Sequence, residues 1–165
     1  MTKTRKTKSP EERLAEAKKA AAKAKSDMAR ANLADNPEFQ KMQEALDNVN
    51  KEIAANSRKM KGHNSFENRR NAIQARLDWV IKEEELTNAK EAHAQSLRTY
   101  LQEAMSNADE KVSFSKVMKN APKSDLAKLE KEYDAANAHW RSLTPQALKA
   151  AADAEKSTKT EEASA

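Results

Sequence analysis

Three histidines, a run of three glutamates and a cluster of arginines around one turn are the residues of this chain whose types and spacing could do chemistry. His63, His93 and His139 lie far apart in sequence. His63 with Glu67 could set two ligands side by side, but a metal needs more, and a turn histidine beside a solvated carboxylate explains the pair as well. Glu83-Glu84-Glu85 are consecutive, so on a helix their carboxylates fan outward, and they read as a solvated run. A two-metal site between helices would use Glu-x-x-His pairs on facing helices, and the chain has none. Without cysteine there is neither a thiolate ligand nor a disulfide. A single glycine, Gly62, cannot build a phosphate-cradling loop, and no serine sits in a nucleophile turn. The expectation is a protein that is not an enzyme, with no metal, no cofactor and no small-molecule substrate.

The arginines carry more. Residues 58–82 hold seven Lys or Arg against two Asp or Glu, whereas 83–110 hold two against seven. Arg58, Lys59, Lys61, Arg69, Arg70 and Arg76 fall close together around His63, interleaved with Asn64, Asn68, Asn71 and Gln74. Guanidinium groups fork onto phosphate oxygens while amides reach sugars and base edges, so this is the chemistry of a nucleic-acid backbone contact. Lys3, Arg5, Lys6 and Lys8 add a second basic footprint at the N-terminus. Near this turn stacking aromatics are missing apart from Phe66, so contact with DNA or RNA would be weakly sequence-specific. The plainer alternative is that these charge blocks are solvated faces, or pair with opposite blocks on another copy.

Helices must position these groups. Ala, Lys, Glu, Gln, Arg, Leu and Met dominate, all strong helix formers, with only four prolines and one glycine between them. Charged residues make up 35%, aromatics 4%, and the mean hydropathy is -1.02, too polar for a large single core. Apolar residues nevertheless recur at helical spacing, which argues against disorder. No apolar run approaches the roughly 20 residues a membrane span needs, and no secretory signal opens the chain, so a soluble cytoplasmic protein is expected.

Punctuation divides the chain. Residues 1–8 read as a flexible arm. Ser9-Pro10-Glu11-Glu12 starts a helix with a capping box, and 9–34 reads as an Ala-rich amphipathic helix. Its seam is Leu14, Ala17, Ala21, Ala24, Met28 and Ala31, in steps of three and four. Asn36-Pro37 breaks and restarts the helix. The next seam, Phe39, Met42, Leu46, Val49, Ile53, Asn56, Met60, mirrors Phe66, Arg70, Ile73, Leu77, Val80 about His63, as an antiparallel hairpin requires. A second hairpin follows: Ala104, Leu101, Leu97 and Ala94 are expected opposite Leu126, Leu129, Tyr133 and Ala136, in pairs whose numbers total 230.

The fold expected is therefore all-α and elongated, two antiparallel hairpins (37–87 and 87–143) sharing one long central helix at 65–106. A short helix at 144–156 and a disordered tail at 157–165 follow. Leu14 and Met28, with the stripe Trp79, Leu86 and His93, look under-buried in a single chain and are the candidate partner interface, receiving the first helix or a second copy. Two functions compete: a non-enzymatic nucleic-acid-associated protein, or a coiled-coil adaptor or scaffold forming a homo-oligomer.

Overall fold

The computed structural model describes residues 9–56, 64–106 and 113–162, and over these it is all-helical. The helices are α1 (Pro10–Leu33), α2 (Pro37–Asn56), α3 (Asn64–Ser106), α4 (Phe114–Lys119), α5 (Leu126–Ser142) and α6 (Pro145–Glu162). α3 has 43 residues, so it runs for about 65 Å at 1.5 Å per residue. α1, α2 and α5 all pack on it.

The helix starts follow local chemistry. Ser9 and Glu12 form the reciprocal capping box, with the Glu12 amide donating to Ser9 Oγ at 3.2 Å and the Ser9 amide donating to Glu12 Oε2 at 2.9 Å. At the break, Asn36 Oδ1 accepts from the amides of Glu38 and Phe39, satisfying donors that Pro37 leaves exposed. Gln40 reaches back to the Ala34 carbonyl at 2.7 Å. Thr144 Oγ1 caps α6 by accepting from the Ala147 amide. α6 continues to Glu162, so 157–162 are helical where a disordered tail was expected.

One face of α3 takes α1 and α2. Ala29 and Leu33 of α1, Phe39 of α2 and Leu77 and Ile81 of α3 form the core, with Met42, Leu46, Ile73 and Val80 packed around it. Val49 and Leu77 are both buried, as the mirrored seams of the first hairpin require. Asn32 of α1 bridges to α3, donating to Glu84 Oε1 at 3.0 Å and Asn88 Oδ1 at 3.2 Å. α1 thus docks by its C-terminal end, on Ala29 and Leu33. The expected seam of Leu14, Ala17, Ala21, Ala24, Met28 and Ala31 is exposed throughout. Alanine occurs on every side of this helix, so its spacing cannot mark one buried face.

The other face of α3 takes α5, in a register different from the expected one. Trp79 meets Tyr133 and Trp140, Lys82 meets Glu132, and Lys90 meets Glu130. The paired numbers total about 216 rather than 230, so α5 sits about 21 Å nearer the start of α3 at 1.5 Å per residue. Leu97 therefore does not meet Tyr133, nor Leu101 Leu129. The slip equals two heptads, which returns the same helix faces to each other. The vacated part of α3 is lined instead by the segment containing α4, where the Tyr100 hydroxyl donates to the Val117 carbonyl at 2.8 Å. α4 is a helix of six residues, and Phe114 on it is 69% exposed.

Candidate nucleic-acid interface

The basic cluster is only partly within the described residues. Arg58, Lys59, Lys61 and His63, and the arm residues Lys3, Arg5, Lys6 and Lys8, lie outside them. The first turns of α3 carry the rest. Arg69 is exposed; Arg70 is half-buried, with Nη2 donating to Asn71 Oδ1 at 3.4 Å. The expected partner of Arg70, Asn56, has a side chain outside the description.

Arg76 is engaged elsewhere. Its guanidinium carbon stands 5.6 Å from the centre of the Trp140 ring, which itself stacks on Trp79 at 5.5 Å with 12° between the planes. Tyr133 closes the group at 6.2 Å from Trp79. A guanidinium over an indole is held by the negative face of the ring. Arg76 therefore ties α3 to α5 through this ring contact. Arg76→Ala should cost about 0.5–1 kcal/mol of stability at such a partly exposed site, and Arg76→Lys less. Urea unfolding followed by tryptophan emission would read this directly, since Trp140 loses its cover.

The partner-interface residues divide as well. Leu14 and Met28 stand outward at 58% and 60% exposure. Trp79 is half-buried within the α3–α5 contact, and Leu86 is buried on the same face of α3. That stripe receives α5, where the first helix or a second copy was expected. His93 is half-buried.

The sequence reading missed a charged cluster beside these aromatics. Glu85, placed in a solvated run, is buried, and Lys82 Nζ lies 2.8 Å from its carboxylate and 3.0 Å from Glu132 of α5. Burial pulls the Lys82 ammonium down, but its bonds to Glu85 and Glu132 outweigh that and hold its pKa above the usual 10.5. Lys128 stands 3.9 Å from the other Glu132 oxygen. Lys18 and Lys25 of α1 close over this cluster to leave a cleft of about 310 Å³. A signal existed in Lys82, a lone cation on a face otherwise made of Ala75, Trp79 and Leu86; nothing in the sequence names Glu132 as its partner. Among the described residues no group of three His, Asp or Glu is arranged to hold a metal ion, and no helix is long and apolar enough to cross a membrane. No known protein family, curated protein or solved structure matches this chain.

Proposed function

We propose that this is a non-enzymatic, cytoplasmic helical protein that contacts the phosphate backbone of DNA or RNA through the basic end of its rod and its N-terminal arm. The observation that carries the reading is the charge gradient along the chain: 58–82 is strongly basic and 83–110 strongly acidic. α3 spans both blocks, so they fall toward opposite ends of one long helix. The exposed Arg69 and half-exposed Arg70 lie in its first turns. With Arg76 committed to Trp140, the cluster offers Arg58, Lys59, Lys61, Arg69 and Arg70.

The five cations of the rod end by themselves give a salt slope near -4.5, a weakening of about 500-fold between ~50 and ~200 mM salt, to which the arm adds its own share. Arg69→Glu with Arg70→Glu removes two contacts and should cut that salt effect to about 40-fold, besides weakening binding at the lower salt. Labelled duplex and single strands titrated with the full chain measure both. Arg76 is left intact so that α5 stays docked. Binding that ignores this variant but needs residues 1–8 moves the contact to the arm. No binding at ~50 mM salt sinks the reading.

A second reading, an adaptor or scaffold working through coiled-coil protein contacts, is favoured by Met105 at 79% exposure and Phe114 beyond it. Large apolar side chains left in water toward one end of a rod are what a protein partner covers. An assembly that survives high salt and ignores nucleic acid is its expected behaviour.

A further inference from the structure

α1 runs antiparallel to α3. Leu33 clusters with Leu77 and Ile81, Asn32 bonds Glu84 and Asn88, and Met28 shares a groove with Glu91, Gln95 and Arg98. The earlier part of α1 therefore continues toward the C-terminal end of α3, away from Arg69 and Arg70 in its first turns. Lys3, Arg5, Lys6 and Lys8 precede Ser9, the residue that caps α1. The two basic footprints thus belong to opposite ends of the rod.

The distances follow from helix rise. Arg69 and Glu91 are 22 residues apart on α3, about 33 Å. From Met28, level with Glu91, α1 runs back 19 residues to Ser9, about 28 Å more. Ser9 therefore stands roughly 60 Å from Arg69. An arm of eight residues reaches at most about 29 Å when fully extended, so arm and tip cannot close on one short stretch of backbone.

The α1 end is itself basic. Every residue from 10 to 25 is exposed, and 13–25 holds five Lys or Arg against Glu16 alone. Lys18 and Lys25 turn to a cleft whose walls include Asp125 and Glu132, so carboxylates of the chain answer their charge. Arg13, Lys19 and Lys23 take the other sides of the helix, about 40–55 Å from Arg69 by the same rise. They continue the footprint of the arm along α1.

The stretch between the two ends opposes phosphate. From Glu83 to Ser106, α3 carries five carboxylates against Lys90 and Arg98, and Lys90 already stands 3.6 Å from Glu130. A nucleic acid laid lengthwise on this helix would set its phosphates over the exposed Glu83, Glu91 and Glu103. Two segments, one at each end, avoid that repulsion.

Resting on the phosphate-backbone function proposed above, we infer that the chain is bivalent and joins two separate nucleic-acid segments. One is held at the tip by Arg69, Arg70 and the cations that link α2 to α3; the other is held by the arm with Arg13, Lys19 and Lys23. The test is the stoichiometry of the full chain with excess 10-base-pair duplex at ~50 mM salt, read by sedimentation. Such a duplex is about 34 Å long, too short to span both ends. One chain should carry two duplexes. Arg69→Glu with Arg70→Glu should leave one, and so should Lys3→Glu and Arg5→Glu combined with Lys19→Glu and Lys23→Glu. All six substitutions together should leave none, with circular dichroism unchanged throughout. A single duplex per wild-type chain would overturn bivalence while leaving the phosphate-backbone function standing. Two chains carrying two duplexes, or two duplexes retained by either variant, would overturn it as well. No duplex bound at all would remove both.

Discussion

Replacing Phe39 with alanine should cost about 3–5 kcal/mol of unfolding free energy, the range for emptying a buried aromatic site. Phe39 is only 2% exposed and sits where α1, α2 and α3 meet, against Ala29, Leu33, Leu77 and Ile81. Alanine is the better helix former, so local propensity opposes the loss and whatever is measured comes from packing. A domain of this size has about 5–15 kcal/mol in total, so the variant loses a large share of its margin. Both α1 and α2 then lose their common anchor on α3. Phe114 gives the matched comparison, because the same substitution there removes a side chain 69% exposed and should change stability by no more than about 0.5 kcal/mol. Urea unfolding followed by circular dichroism reads the two variants on one scale. Equal losses would mean that Phe39 is not the keystone of this joint, or that Phe114 is covered in solution by something else.

What could be read from the sequence, and what could not, follows from what fixes each element. The helix starts at Ser9 and Pro37 were legible because a cap is a local event, settled by three or four adjacent residues. The long α3 and the packing of α2 on it were legible because bulky residues on the two seams leave few registers that bury Val49, Leu77 and Phe39 together. The register of α5 was not. A heptad seam repeats itself every seven residues, so a slip of two heptads satisfies the pattern as well as the pairing first expected. The choice is made by quantity of burial: the observed register stacks Trp79 on Trp140 and sets Tyr133 at a tilt beside it, whereas the alternative offers mostly Leu and Ala. The docked face of α1 was illegible for a related reason. Ala29 and Ala31 are identical to any periodicity, but only Ala29 lies where α3 approaches closely.

The candidate site divides along the same line. The concentration of Arg and Lys in 58–82 is a property of composition, so it could be seen without coordinates. That Arg76 belongs to Trp140 could not, because the two are separated by most of α3 and all of α4. A basic cluster read from sequence counts cations without knowing which of them an aromatic ring already holds.

Lys82 joins these themes, since it sits on the apolar face of α3 and its partners come from two helices. Lys82→Met should destabilise the fold by about 1–3 kcal/mol, because the Glu85 carboxylate stays buried and loses its cation. Breaking a fully buried pair can cost more, but the Lys82 side chain is 34% exposed, so water softens the loss. Adding Glu85→Leu to Lys82→Met should recover most of the deficit, since the stranded charge is then gone and the apolar face of Ala75, Trp79 and Leu86 is continuous. Glu132→Gln should cost less than Lys82→Met, its carboxylate being 38% exposed and able to reach water. The pH dependence has a definite sign. Lys82 is held above its usual value in the folded chain, so its contribution is complete below about pH 10.5 and falls away as the pH climbs through the raised value. Wild type should therefore lose an increment of stability in strong alkali that Lys82→Met does not lose. Urea titrations at pH 8 and above pH 10.5 test both halves. If the double variant is no more stable than Lys82→Met, the cost lies in packing of the lysine stem and not in the stranded charge of Glu85.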